Sequence, residues 1–162
     1  MIEITQDVLH KLFIYRDGCL YRKITRGPMK AGSRAGSVDP RGYSYINING
    51  KNYLEHRLIF MMHHGFLPKF IDHIDTDKSN SRIENLRQAT GSQNQWNRGA
   101  PRNNALGIKG VRFHKGKFLA HITVNKIQKH LGCFDTPEDA HEAYCSTAQL
   151  LRGEFANTGV KK

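Results

Sequence analysis

IDHIDTDKSNSRIENLRQATGSQNQWN, Ile71 to Asn97, decides how this chain is read. Phe70-Ile71-Asp72-His73-Ile74 has the composition of a short strand, and neighbours on a strand point to opposite faces, which separates Asp72 from His73. Residues 75–81 are dense in Asp, Asn, Ser and Thr, side chains that hydrogen-bond nearby backbone, so a turn-rich loop follows. A second strand over residues 86–89 returns the chain. Thr90 and Gln93 then form a Thr-x-x-Gln capping box, whose hydroxyl and carboxamide satisfy exposed amides at a helix start. That helix carries Asn94 near its N-terminal end. One short segment therefore holds a carboxylate, an imidazole and two carboxamides, Asn85 and Asn94.

Composition narrows the partners. The 162 residues, 38% hydrophobic, suffice for one domain or two small ones with compact cores. Twenty-five Lys and Arg stand against 14 Asp and Glu, and the +11 formal charge favours a polyanion over an acidic protein partner or an isolated metabolic role. From Arg98 through Phe134 there are eight Lys or Arg and no Asp or Glu. Cys19, Cys133 and Cys145 show no CxxC spacing and are odd in number, which supports neither a disulfide framework nor a structural zinc. The longest apolar stretch, around Leu58 to Met62, is too short to span a bilayer, and the N-terminus lacks the zones of a signal peptide. A soluble, unexported protein of a reducing cytoplasm is expected.

Residues 1–52 alternate apolar and polar positions between glycine-bearing turns, Asp17-Gly18 and Asn49-Gly50 among them, and read as strands in hairpins. Their basic residues, such as Arg22, Arg34 and Arg41, suit either phosphates or a solvated face. Leu54, Leu58 and Met61 or Met62 recur at helical spacing, so a helix is predicted from Leu54 to His64, stopped by Gly65 and Pro68. It carries His56, His63 and His64. Adjacent helical positions point about 100° apart, so His63 and His64 are poorly placed to share one ion, and structural or solvent roles are expected for these histidines.

The segment 71–97 resembles the HNH endonuclease family in its phage and intron-encoded homing form. The resemblance implies a ββα-metal fold, a DNA substrate, one divalent ion, and cleavage leaving a 5′ phosphate and a 3′ hydroxyl. Its chemistry suits the residues. His73 titrates near neutrality and can take a proton from water. Asp72 offers a hard carboxylate oxygen to a metal, and Asn94 adds a carbonyl oxygen, an incomplete cage that fits loosely held Mg²⁺, with Mn²⁺ as a second candidate. By resemblance, Asn85 holds the loop and helps orient His73. Asn97, one turn beyond Asn94, is its nearest rival as ligand. The last motif position is Asn here and not His, so a zinc preference is not carried over.

After Arg98, Gly-Ala-Pro-Arg-Asn-Asn reads as a linker. Beyond it the pattern changes to strand. Val111, Phe113, Phe118, Ala120, Ile122 and Val124 define one face of a sheet, and a third strand is predicted over residues 127–134. Thr136-Pro137-Glu138 starts a helix whose inward stripe is Ala140, Ala143, Tyr144, Thr147, Ala148 and Leu151, ended by Gly153. GIKGVRFHKGKFLAHITV with HLGCFDTPEDAHEAYCSTAQLLRGEFANTG is similar to the plant APETALA and ethylene-response-factor DNA-binding domain. That resemblance implies DNA contacts from Lys109, Arg112, His114, Lys115, His121 and Thr123, and from Gln128 and His130. Lys117, Asn125, Lys126 and Lys129 are additional candidates. Arg112 suits guanine readout, whereas Lys117 and Lys126 suit phosphates.

The expectation is thus an α+β chain: a β-rich extension at 1–52, a ββα-metal nuclease core at 53–98, a linker at 99–106, and a three-stranded antiparallel sheet packed on one helix at 107–159. It is expected to act on double-stranded DNA as a monomer, without a protein or membrane partner, and to nick one strand. A DNA-binding regulator with a silent nuclease module and a dimeric restriction or defence nuclease remain open alternatives.

Overall fold

The structure, a computed structural model, describes residues 3–101 and 103–159; Arg102 of the expected linker and the first two residues of the extension lie outside the described residues. The architecture is mixed α/β, with two compact units, Met1–Thr90 and Gly91–Lys162.

The first unit begins with a helix where only strands are expected. In α1 (Gln6–Leu12), the Thr5 hydroxyl accepts the Val8 amide at 3.4 Å, and Asp7 in the first turn complements the helix dipole. Seven residues are too few for helical periodicity to stand out beside the strand pattern that starts at Phe13. Hairpin β1 (Phe13–Arg16) and β2 (Cys19–Arg22) then turns through Asp17 and Gly18, φ 47° and 81°. Positive φ at both positions gives the turn twist that matches paired strands. A second sheet places β4 (Ser44–Ile48) between β3 (Ser37–Val38) and β5 (Lys51–Leu54), with Asn49-Gly50 closing the second hairpin in the same manner.

The expected helix appears as α2 (Glu55–His64), ended by Gly65 in the left-handed conformation. Its buried side buries Leu58, Ile59 and Met62 against Leu9, Phe13, Leu20 and Ile46, so one core joins the N-terminal segment to the motif region. Gln6 and His10 reach the Met62 carbonyl at 2.9 and 3.1 Å. The motif strands follow as β6 (Phe70–His73) and β7 (Leu86–Ala89), antiparallel, with a 3-10 turn at Ile83–Asn85 leading into β7. Hairpin β1–β2 props the segment just before that turn. The Tyr15 hydroxyl accepts the Ile83 amide at 3.0 Å, and the Gly18 backbone lies against Ser81 and Arg82.

In the second unit, α3 (Gly91–Trp96) precedes β8 (Val111–His114), β9 (Lys117–Val124) and β10 (Ile127–Phe134). The strands form an antiparallel meander ordered β10-β9-β8, covered by α4 (Pro137–Arg152). Thr136 caps α4 through the Asp139 amide. A Cβ on Gly110 would stand 2.1 Å from the Tyr144 ring, so glycine sets how closely helix and sheet approach. The inward stripe is Ala140, Tyr144 and Ala148, but Leu151 is 45% exposed. The stripe continues at four-residue steps to Arg152, whose guanidinium lies over the Trp96 and Tyr144 rings. Phe113, expected inward, is 57% exposed, beside Phe118. Among the described residues, no helix is long and apolar enough to cross a membrane.

Gly18→Ala should destabilise the first unit by about 1–3 kcal/mol, because its φ of 81° is strained for alanine and the added methyl would stand 2.8 Å from the Arg82 nitrogen. Urea denaturation checks this. An unchanged midpoint would mean that the hairpin does not bear on the motif loop.

Candidate active site

Strand pairing places Asp72 opposite Arg87 and His73 opposite Leu86. Arg87 donates from Nε at 3.0 Å and pairs through Nη2 at 2.9 Å, both to Asp72 Oδ2. Asp72 is 4% exposed, so this carboxylate is held by a matched guanidinium in a largely dry setting. Arg87 carried no signal in the sequence reading. Its importance comes from register.

The loop after His73 is closed by Asn85. Asn85 Oδ1 accepts the Asp75 amide at 3.1 Å, and its Nδ2 donates to Asp75 Oδ1 at 2.9 Å and the Asn80 carbonyl at 2.8 Å. The Asn85 backbone carbonyl also accepts the Ile74 amide at 2.9 Å. Asp75 and Asp77 turn inward on the loop's own amides and on Asn80 and Ser79, while Thr76 takes φ 69°. The loop is thereby fixed by hydrogen bonds and not by apolar packing.

His73 is buried and meets His56 edge-on, ring centroids 4.9 Å apart. Burial lowers the His73 pKa from its ordinary value; Asp75, Asp72 and Asp77 oppose this, and Lys78 adds to it. His56 is pushed down to about 3, first by burial and then by His73 and Arg57. Both shifts favour the neutral ring, and a neutral imidazole can accept a proton. Tyr43 makes a tilted contact with His56 at 5.8 Å, with the Lys78 ammonium 4.8 Å from the Tyr43 ring centroid. Structural or solvent roles are expected for His63 and His64; both are exposed, His63 beside the Tyr15 ring and the Ile59 carbonyl and His64 beside Phe60.

Asp72, His73 and Asn85 are thus brought together in the first unit, whereas Asn94 and its rival Asn97 belong to the second, half-buried and buried respectively. Among the described residues, no group of three or more His, Cys, Asp or Glu is arranged to hold a metal ion.

On the second unit's sheet, cross-strand pairing sorts the residues implied as DNA contacts. Arg112, His121, Gln128 and His130 line one shallow pocket with Leu119 on the face away from α4. Thr123 opposite Gln128, and His114 opposite Lys117, share that face. Lys115, Asn125 and Lys126 occupy the hairpin tips at φ 48°, 50° and 66°. Three of the implied contacts have another face or another partner. Lys129 pairs with Ile122 and so sits on the helix side. Lys117 is ion-paired with Asp135. Lys109 directs its ammonium to the carbonyls of Trp96 and Arg98, and burial, then Arg152, lowers its pKa to about 8. Burial also lowers His121, with Arg112 and His130 contributing in the same direction.

Two measurements probe this geometry. Arg87→Met removes the guanidinium that neutralises Asp72 and should cost roughly 3–5 kcal/mol, while Asp72→Asn combined with Arg87→Met should cost less than the two single changes added. Denaturant titration of all four proteins reads the coupling, and strict additivity would dissolve the pair. The second concerns acid. An unfolded histidine takes up a proton below about 6.5, whereas folded His56 resists protonation down to about 3, so stability should fall as pH drops through that window. His56→Phe should flatten the slope of stability against pH.

A family model described as HNH endonuclease matches residues 53–96. An uncharacterised HNH endonuclease, L560, of Acanthamoeba polyphaga mimivirus is 35% identical over 119 residues, covering 71% of this chain and 61% of that protein. The chain therefore spans less than two thirds of the mimivirus relative. Protein 3.8 of Escherichia phage T7 is 33% identical over 96 residues, covering 57% of this chain and 78% of the phage protein. No solved structure gives a significant match. With the matched residues running from β5 through the Asp72–His73 strand and the Asn85 brace to α3, the chain carries an HNH endonuclease family domain.

Proposed function

We propose that this protein is a site-specific DNA endonuclease of the homing type, which hydrolyses one strand per binding event with His73 as general base and a divalent ion, Mg²⁺ first. The observation that carries this reading is the buried His73 imidazole, next to Asp72 on β6 and at the head of a loop fixed by Asn85. His73 takes the proton of the attacking water. Asn85 holds the loop's path and with it the ring.

The donor chemistry fits a hard divalent cation. Asp72 offers a carboxylate, and Asn94, by the HNH resemblance and its ββα-metal fold, a carboxamide oxygen. A set this lean suits an ion that completes its coordination with water and phosphate. Bound there, the ion would supply charge stabilisation at the phosphate and the leaving oxygen. Arg87 serves a different purpose: its two contacts fix the Asp72 carboxylate in one orientation.

Substrate choice is assigned to the second unit. Its outer sheet face gathers Arg112, His121, Gln128 and His130, and the stretch Arg98–Phe134 has no Asp or Glu to repel phosphate. A single such face fits an asymmetric site bound by a monomer in the cytosol of a bacterial or phage-infected cell. Lys109 and Lys129 are better read as structural, the first by its carbonyl partners and the second by the face it occupies.

The test is incubation of the full chain and of His73→Ala with a plasmid library, with and without Mg²⁺, and mapping of both strands. Metal-dependent nicking that falls by about 10²–10⁴-fold in His73→Ala, with DNA affinity kept, is expected. Equal cleavage by both proteins would remove His73 as base. On the sheet, Arg112→Ala should lose about 1–3 kcal/mol at one base position, whereas Lys126→Ala should weaken all sequences alike. Competition binding against a site library separates the two.

A further inference from the structure

We propose that His56 is a positioning residue for His73, its buried ring holding the imidazole of the general base in working orientation. The inference rests on the reading of His73 as base. Its own evidence is geometric. His56 is 6% exposed, and its ring meets that of His73 at 4.9 Å with planes 67° apart, an edge-to-face contact. Tyr43 also lies 5.8 Å from the His56 ring at 38°, so His56 has a second aromatic neighbour besides His73.

The backbone beneath His56 is equally constrained. It stands in the first turn of α2, directly after Glu55, whose carboxylate accepts the Leu20 amide at 2.8 Å and pairs with Arg34 at 3.5 Å. A helix start pinned in this way cannot rotate without breaking a buried charged contact, and the ring that follows is fixed with it. Burying an imidazole costs more than burying a hydrocarbon of similar size, so packing alone is poorly served by histidine at this point. A neutral aromatic ring against His73 limits its rotation without placing a charge beside it. Tyr43 and Lys78 extend the stack to the loop after His73, because the Lys78 ammonium lies 4.8 Å from the Tyr43 centroid. The loop's far side and the base are thereby referred to the same helix.

The experiment compares the full-length protein with His73→Ala, His56→Ala and His56→Phe on duplex DNA carrying a site mapped from the plasmid library, in Mg²⁺. Single-turnover cleavage, DNA affinity and the imidazole NMR signals of His73 are measured for each. His56→Ala should slow cleavage by about 10- to 100-fold at unchanged affinity, the scale of a misplaced reacting group. It should also displace or broaden the His73 ring signals. His56→Phe, which keeps an aromatic ring, should recover most of the rate and the native His73 signals.

Cleavage by His56→Ala at the wild-type rate would overturn the proposal, as would a His56→Phe protein no faster than His56→Ala. Should His56→Ala fail to fold, His56→Phe decides alone: near-native rate and signals support the inference, and a rate as low as that of His73→Ala refutes it. An inactive His73→Ala beside a fully active His56→Ala would leave the nuclease reading standing and sink only the positioning role. Equal cleavage by wild type and His73→Ala would sink the base assignment and this proposal with it.

Discussion

The carboxylate of Glu55 is 1% exposed, and the first unit is arranged around that fact. A buried carboxylate is tolerated only when hydrogen-bonded and paired, so the Leu20 amide and the Arg34 guanidinium must both arrive before α2 can start where it does. Leu20 lies on β2, and Arg34 is bridged to Tyr21 of the same strand. Hairpin, bridge and helix start therefore form as one device. Successive helical residues point about 100° apart, so anchoring Glu55 towards β2 turns His56 towards β6. The N-terminal extension is thus what aims the helix against the motif, beyond adding strands to its side.

Strands bounded by turn-forming residues were legible in the sequence: β7 and β10 fall on the expected residues, and β6 stops one residue short at His73. The end of α2 at Gly65 was equally plain, because glycine in the left-handed conformation is a local signal. What escaped depends on register or on three-dimensional neighbours. Arg87 faces Asp72 only because β6 and β7 pair as they do, and the long loop between them sets no register that a two-residue turn would have set. His56 was readable as a helical residue but not as a neighbour of His73, since that contact depends on how α2 packs on β6. Phe113 and Leu151 were placed inward by periodicity, and both are exposed. Lys129 and Lys109 show the same limit for charge: one sits on the helix side of its strand, and the other is held by carbonyls.

The second unit gains its open face from constraints on the opposite one. Ala140 and Ala148 on α4, with Gly110 beneath Tyr144, let the helix lie close to the sheet and take all of its covering on one side. Two hairpins whose central residues all have positive φ give the meander its twist, and they present Lys115 and Lys126 at the tips. Arg152 closes the end of the helix by donating to the Tyr144 hydroxyl and the Thr123 carbonyl, each at 3.1 Å. Small residues inside and cations outside are two results of the same packing.

Asn85 shows why a carboxamide, and not a carboxylate, belongs at the middle of the motif. Its Oδ1 accepts from the Asp75 amide while its Nδ2 donates to the Asp75 carboxylate and to the Asn80 carbonyl. Aspartate at this position would keep the first contact, but it would lose both donations and set two carboxylates against each other. Asp75 could then no longer be held inward. The loop would lose the bonds that span it, and the segment leaving His73 would be free to move. A neutral group that both gives and accepts hydrogen bonds leaves the acidic side chains of the loop fixed to its own amides, with Asp72 held separately by Arg87.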